Sequence, residues 1–117
     1  MRLHHAETLT DKGWFVGPWN SGMALSVGYA NRGIDEPHLH RRTTEVYLVA
    51  RGAADVQIEG ETVTVRPGDL LVIEPGEAHT FLSSSPDYFH FVIHTPGLAG
   101  EPAHADKESV PRLRLGL

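Results

Sequence analysis

Apolar and polar residues alternate along most of this chain. Met23, Leu25, Val27 and Tyr29 alternate with Ala24, Ser26, Gly28 and Ala30. Val46 and Leu48 oppose Glu45, Tyr47 and Val49, and Val56 and Ile58 alternate with Asp55, Gln57 and Glu59. Val63 and Val65 do the same with Thr62 and Thr64. A period of two is the signature of strands with one buried face. Gly, Pro, Asn and Asp clusters cut the alternating runs short: "DKG", "NSG", "NRG", "EGE", "RPGD", "EPGE" and "SSSPD". No stretch before Pro96 keeps a helical period for three turns. The pattern predicts an all-β sandwich or barrel of short strands. Within it, "ADVQIEGETVTVRPGD" predicts a tight hairpin turning at Glu59-Gly60 and closed by Pro67-Gly68.

The texture changes after Thr95. "TPGLAGEPAHADKESVP" is rich in Pro, Gly, Ala and charge, and it predicts an arm that wraps the domain or a partner. The closing "RLRLGL" alternates again, so Leu113 and Leu115 either add an edge strand or fray. Residues 1–97 are expected to form one domain and residues 98–117 a C-terminal arm.

Composition narrows the classes of function. With 117 residues there is room for one core. A formal charge of −5 and no run of Lys or Arg remove the footprint of a nucleic-acid binder and argue against docking on an anionic membrane. No apolar run is long enough to cross a bilayer, and the start shows no secretory pattern. The absence of cysteine excludes disulfides, a catalytic thiol and thiolate metal sites, and fits a reducing cytoplasm as the expected location.

The chemistry concentrates in "HLHRRTTE", His38 to Glu45. Side chains two apart on a strand share a face and sit ~6.6 Å apart at the backbone, so two imidazoles can lean onto one ion. Glu45 has the wrong parity for the same straight strand, which requires "RRTT" to hold a turn or bulge. His79 follows a Pro-Gly turn at the start of a strand. If that strand runs antiparallel beside the Glu45 strand, His79 completes a set of three imidazoles and one carboxylate. Such a set suits Fe, Mn, Co, Ni, Cu or Zn better than Ca or Mg.

"GIDEPHLHRRTTEVYLVARG" resembles the first motif of the cupins, G-x5-H-x-H-x3,4-E-x6-G, through Gly33, His38, His40, Glu45 and Gly52. "GDLLVIEPGEAH" resembles the second, G-x5-P-x-G-x2-H-x3-N, through Gly68, Gly76 and His79. The resemblance covers about residues 22–97 and implies a jelly-roll, double-stranded β-helix barrel with one divalent transition metal held by His38, His40, Glu45 and His79. Three departures stand out. The Gly33–His38 gap is one residue short, Glu74 takes the proline position with Pro75 next to it, and Ser83 takes the asparagine position. None of these is a ligand position.

Tyr47 shares a face with Glu45, and Phe81 with His79, so both are expected to pack in the core or line a pocket. His90 and His94 share a face opposite Phe89, Phe91 and Ile93. Inward histidines would make His90 a pocket residue and proton shuttle. Inward phenylalanines would leave both histidines at a surface or interface, the arrangement favoured here. The resemblance implies a metal-dependent enzyme of dioxygenase, isomerase or lyase type on a small organic molecule, with Glu45 doubling as ligand and base. A non-catalytic binding or sensing domain is the alternative, and a homodimer is the expected assembly.

Overall fold

A computed structural model describes residues 1–117. Ten strands follow one another along the chain: β1 (Lys12–Val16), β2 (Ser26–Ala30), β3 (His38–His40), β4 (Thr44–Arg51) and β5 (Ala54–Ile58), then β6 (Glu61–Val65), β7 (Leu70–Ile73), β8 (His79–Ser84), β9 (Phe89–Thr95) and β10 (Lys107–Ser109). They form two antiparallel sheets, ordered β1-β2-β9-β4-β7 and β10-β3-β8-β5-β6. The all-β jelly-roll reading of the sequence holds. β5 and β6 pair from Ala54↔Val65 to Ile58↔Glu61, which leaves Glu59-Gly60 as the hairpin turn.

The two sheets enclose a core at one end. Tyr47 and Val49 of β4 meet Val56 of β5, Phe81 of β8 and Val92 of β9. Val56 is wholly buried. Gly52 turns the chain from β4 into β5 with φ of 69°, and a Cβ there would lie 2.8 Å from the Tyr88 backbone. Glycine meets both demands, since φ > 0 is strained for side-chain-bearing residues. The other end stays open as a cavity.

The face that β2 turns inward differs from the one its apolar residues suggest. Ser26 and Ala30 are buried against the interior. Tyr29 lies on the outer side instead, its ring 4.8 Å from Phe15 and 6.0 Å from Phe89. Met23 is exposed. The reason is the cavity: β2 borders space, so its inner positions are small, while the large residues pack under the N-terminal strand.

The C-terminal segment folds back over the second sheet. Besides the single turn α1 (Pro18–Ser21) after β1, there is a second short helix, α2 (Gly100–Asp106), which leads into β10; β10 pairs with β3 through Lys107↔His40 and Ser109↔His38. "RLRL" is a 3-10 turn over Arg112–Leu115, not a strand. The two leucines therefore part company: Leu115 is fully buried against Leu39 and Ala78, and Leu113 is exposed. Arg112 on Asp35 and Arg114 on Glu59 hold the turn in place, and Gln57 Nε2 donates to Leu115 O at 2.7 Å.

Candidate metal centre

β3 presents His38 and His40 on the inner face, with Leu39 pointing to the outer cluster. The chain then bends at Arg41–Arg42 and crosses to the other sheet, where β4 begins. This crossing meets the parity demand on "RRTT": Glu45 faces the histidines from the opposite sheet. His79 also arrives by a route other than the one expected. β8 lies beside β3, with His38↔His79 in register, and not beside β4. The turn before it is tied to motif one by Gly76 N donating to His40 O at 2.7 Å.

Four imidazoles surround one buried carboxylate. Glu45 Oε1 lies 2.6 Å from His40 Nε2, 3.3 Å from His79 Nε2 and 3.8 Å from His38 Nε2. Glu45 Oε2 lies 3.6 Å from His94 Nε2 and accepts the Tyr47 hydroxyl. Despite this closeness, Glu45 Oε1 and His79 Nε2 are buried with no hydrogen-bond partner. The rings crowd the carboxylate without aiming an N–H at that oxygen.

The far sides of the motif rings explain this. His38 Nδ1 meets Glu36 O at 2.5 Å, His79 Nδ1 meets Glu77 O at 2.9 Å, and His40 Nδ1 meets Asp106 Oδ2 at 2.8 Å. Each partner is an acceptor, so each Nδ1 carries the proton and each Nε2 offers a lone pair to the centre. Metal-binding histidines are oriented by this kind of outer hydrogen bond. The donor set fits a divalent transition metal, which would also satisfy the two orphaned atoms. Two overlapping groups can hold an ion: His38, Glu45 and His79, and His40, Glu45 and His94.

The local fields follow from the same contacts. Burial would raise the Glu45 carboxyl, but hydrogen bonds from His38, His40, His79 and His94, made when those rings carry a proton on Nε2, outweigh it and hold it well below the usual value. Burial works against charge on His40, yet Glu45 and Asp106 together raise its pKa. Burial and then the Glu45 charge push the Tyr47 phenol well above its usual value, so it stays a donor.

His90 and His94 both face inward, against the favoured expectation. Register is the cause. β9 pairs with β4 as Glu45↔His94, Tyr47↔Val92 and Val49↔His90, and residues directly opposite share a face. Since Glu45 points in, the histidines must too. Phe91 turns to the outside, and Phe89 is covered by Tyr29 and Arg51. His90 is buried, with Nδ1 2.7 Å from the Tyr88 hydroxyl, and burial pushes its pKa down to about 4.

The centre opens onto a cavity of about 740 Å³. Tyr47, Phe81 and His90 stand on its wall. Trp14 sits at the mouth with its ring 4.8 Å from His94, and Trp19 packs edge-on against it at 5.9 Å. Gly28 makes this possible, because a Cβ there would come within 2.7 Å of the Trp14 ring. Sequence reasoning missed Asp106 altogether. It lies 66 residues from His40 in a stretch that reads as a polar arm, and nothing local distinguishes it.

The comparisons with known proteins agree with this fold. The polyketide synthase CurC of Streptomyces cyaneus is 29% identical over 96 residues, 80% of this chain and 62% of CurC. The uncharacterized protein YjlB of Bacillus subtilis is 41% identical over 54 residues, 44% of this chain and 33% of YjlB. The chain thus spans less than two thirds of either relative. Among solved structures, the nucleoside dehydratase Pac13 superposes with a TM-score of 0.67 at 15% identity, covering 92% of both chains. KdgF from Halomonas sp. gives 0.63 at 24% identity, over 74% of this chain and 78% of that one. At these identities the structural likeness speaks for the fold. The cupin domain model matches residues 26–95, which hold all four motif ligand positions, and the chain belongs to the cupin domain family.

Proposed function

We propose that this protein is a metal-dependent enzyme that performs acid–base chemistry, of isomerase or lyase type, on a small organic molecule. His38, His40, Glu45 and His79 hold one divalent transition metal. The bound metal supplies a Lewis acid that polarises an oxygen of the substrate. The observation that carries the reading is the pair of orphaned atoms, Glu45 Oε1 and His79 Nε2, buried beside an open cavity. A structural site would be closed by protein groups, whereas this one adjoins space for a ligand.

The chain's own residues supply the proton chemistry. Glu45, kept ionised by its imidazoles, borders the cavity, where it serves as the base. Tyr47 is kept protonated and donates to it. His94 stands on the other carboxylate oxygen, and His90 offers a neutral ring to the cavity. Groups of opposite protonation state, held apart by their surroundings, suit general acid–base catalysis. One structural neighbour, Pac13, is named a nucleoside dehydratase, a reaction of the lyase type.

The outer face of the first sheet supports a homodimer. Leu70, Leu48 and Phe91 form one cross-strand row, and Val72, Val46 and Ile93 form a second. Leu70, Val72 and Phe91 are exposed. No helix is long and apolar enough to cross a membrane, and a chain without cysteine suits a reducing cytoplasm.

Metal analysis of untagged protein, followed by a turnover screen of small hydroxy, keto and sugar acids under air and under nitrogen, tests this reading. Metal-dependent turnover under nitrogen is expected. Turnover that needs Fe(II) and consumes oxygen would replace it with the dioxygenase reading. Tight ligand binding without turnover would replace it with a binding or sensing domain.

A further inference from the structure

His40 differs from its two motif partners in how it is anchored. His38 and His79 each rest Nδ1 on a main-chain carbonyl two residues earlier, Glu36 O and Glu77 O. Both carbonyls belong to the loop residues that lead directly into β3 and β8. His40 Nδ1 instead meets a side-chain carboxylate, Asp106 Oδ2, at the end of α2. Asp106 is 3% exposed, and its contacts are fully specified. Its other oxygen, Oδ1, accepts the Arg42 and Thr43 main-chain N–H groups at 2.6 and 3.2 Å. Its main-chain O accepts Arg41 N at 2.8 Å. One aspartate therefore grips both the His40 ring and the crossover that delivers Glu45.

We propose that Asp106 is a positioning residue of the metal centre, so that the centre is complete only when the C-terminal segment is docked. The inference rests on the reading of His40 as a metal ligand. A carboxylate facing Nδ1 requires a proton on that nitrogen and so keeps Nε2 free as a donor to metal. The same carboxylate fixes the Arg41–Thr43 turn, which sets the separation between His40 and Glu45. The segment is built to stay in place. β10 extends the second sheet beside β3, Lys107 pairs with Glu36 at 2.5 Å, and Leu115 is wholly buried behind Leu39. Residues beyond those matched by the family model thereby become part of the site.

The competing role is a strut that merely caps the turn. Asp106→Asn separates the two, because Oδ1 can still accept from Arg42 and Thr43 while the amide N–H₂ faces His40 Nδ1. The turn keeps its anchor, and the imidazole is driven to the tautomer with its proton on Nε2, where it blocks the metal. The test uses full-length protein titrated with Zn(II) and Co(II) against a chromogenic chelator, together with ¹⁵N NMR of the histidine rings. Asp106→Asn is expected to bind either metal 10–100-fold more weakly at an unchanged stoichiometry, with the His40 Nδ1 proton lost. Glu108→Gln, exposed on the adjoining strand β10, is expected to match wild type. Wild-type affinity in Asp106→Asn would overturn the proposal. If that variant does not fold, the wild-type spectrum decides alone: a folded protein without a proton on His40 Nδ1 overturns it. If wild type takes up neither metal, the metal reading falls separately. A His40 Nδ1 proton present in wild type and absent in Asp106→Asn then still upholds the positioning, and its presence in both overturns it.

Discussion

Tyr47 donates its hydroxyl to Glu45 from two residues further along the same strand. The pairing follows from the period of β4, which turns both side chains inward. It places a phenol that cannot readily ionise against a carboxylate that cannot readily protonate. Removing the hydroxyl takes a hydrogen bond from a buried charged group, worth about 1.5–3 kcal/mol. Tyr47→Phe is therefore expected to lower the unfolding free energy of chelator-treated protein by that order, read from urea titration. Once a substrate is known, kcat should fall by roughly 10²-fold or more if the phenol delivers a proton. A variant as stable and as active as wild type would remove Tyr47 from the site's chemistry.

Glu45 and His79 make the clearest metal test, because each has a buried atom with no partner in the protein. Zinc bound to the folded state alone raises stability with concentration, by about 2.7 kcal/mol at a hundredfold excess over Kd. Wild type should gain thermal stability with zinc and lose it again with EDTA. His79→Ala should carry far less than one equivalent by elemental analysis and show almost no zinc response. Full occupancy in His79→Ala would show that His79 is not a ligand.

The reach of the sequence has a physical boundary here. The strands, the Glu59-Gly60 hairpin and the grouping of His38, His40, Glu45 and His79 were legible, because each rests on short spacing: a period of two, a turn dipeptide, or two motif glycines. What was not legible depends on pairing between distant segments. The inward turn of His90 and His94 is set by the register of β9 on β4, which the chain between them does not encode locally. The neighbour of β8 is β3 because the chain changes sheets at Arg41–Arg42. Asp106 belongs to the site only through a contact spanning 66 residues. The "RLRL" alternation left an edge strand and a frayed end both open, and two arginine–carboxylate pairs with the burial of Leu115 make it a docked 3-10 turn instead.

The outer face of β4, β7 and β9 leads to a prediction about assembly. Leu70 and Phe91 flank Leu48 across two strand pairings and are both exposed. A contiguous apolar patch on a soluble domain marks an interaction site. Sedimentation of wild type is expected to give a dimer. Phe91→Glu should shift it to a monomer while leaving zinc stoichiometry intact, since Phe91 points away from the centre. A wild-type monomer at all concentrations would discard the paired face.

His90 gives a pH dependence with a definite sign. Burial lowers its folded pKa from the usual 6.5 to about 4. Between those two values the unfolded chain binds the proton and the folded protein does not. Stability from this group is therefore complete above about pH 6.5, falls as the pH drops, and levels off below about 4. From pH 7.5 to 4.5 the loss amounts to about 2.5 kcal/mol. Glu45 adds a loss only at lower pH, and His40, whose pKa is raised, works in the opposite direction, so the wild-type curve alone is composite. His90→Asn isolates the contribution, because the Asn oxygen can accept from the Tyr88 hydroxyl as Nδ1 does. In chelator-treated protein, unfolding free energy should fall less steeply for His90→Asn than for wild type across this window, by about the same 2.5 kcal/mol. Parallel curves would mean that the His90 ring takes up its proton in the folded cavity as readily as in water.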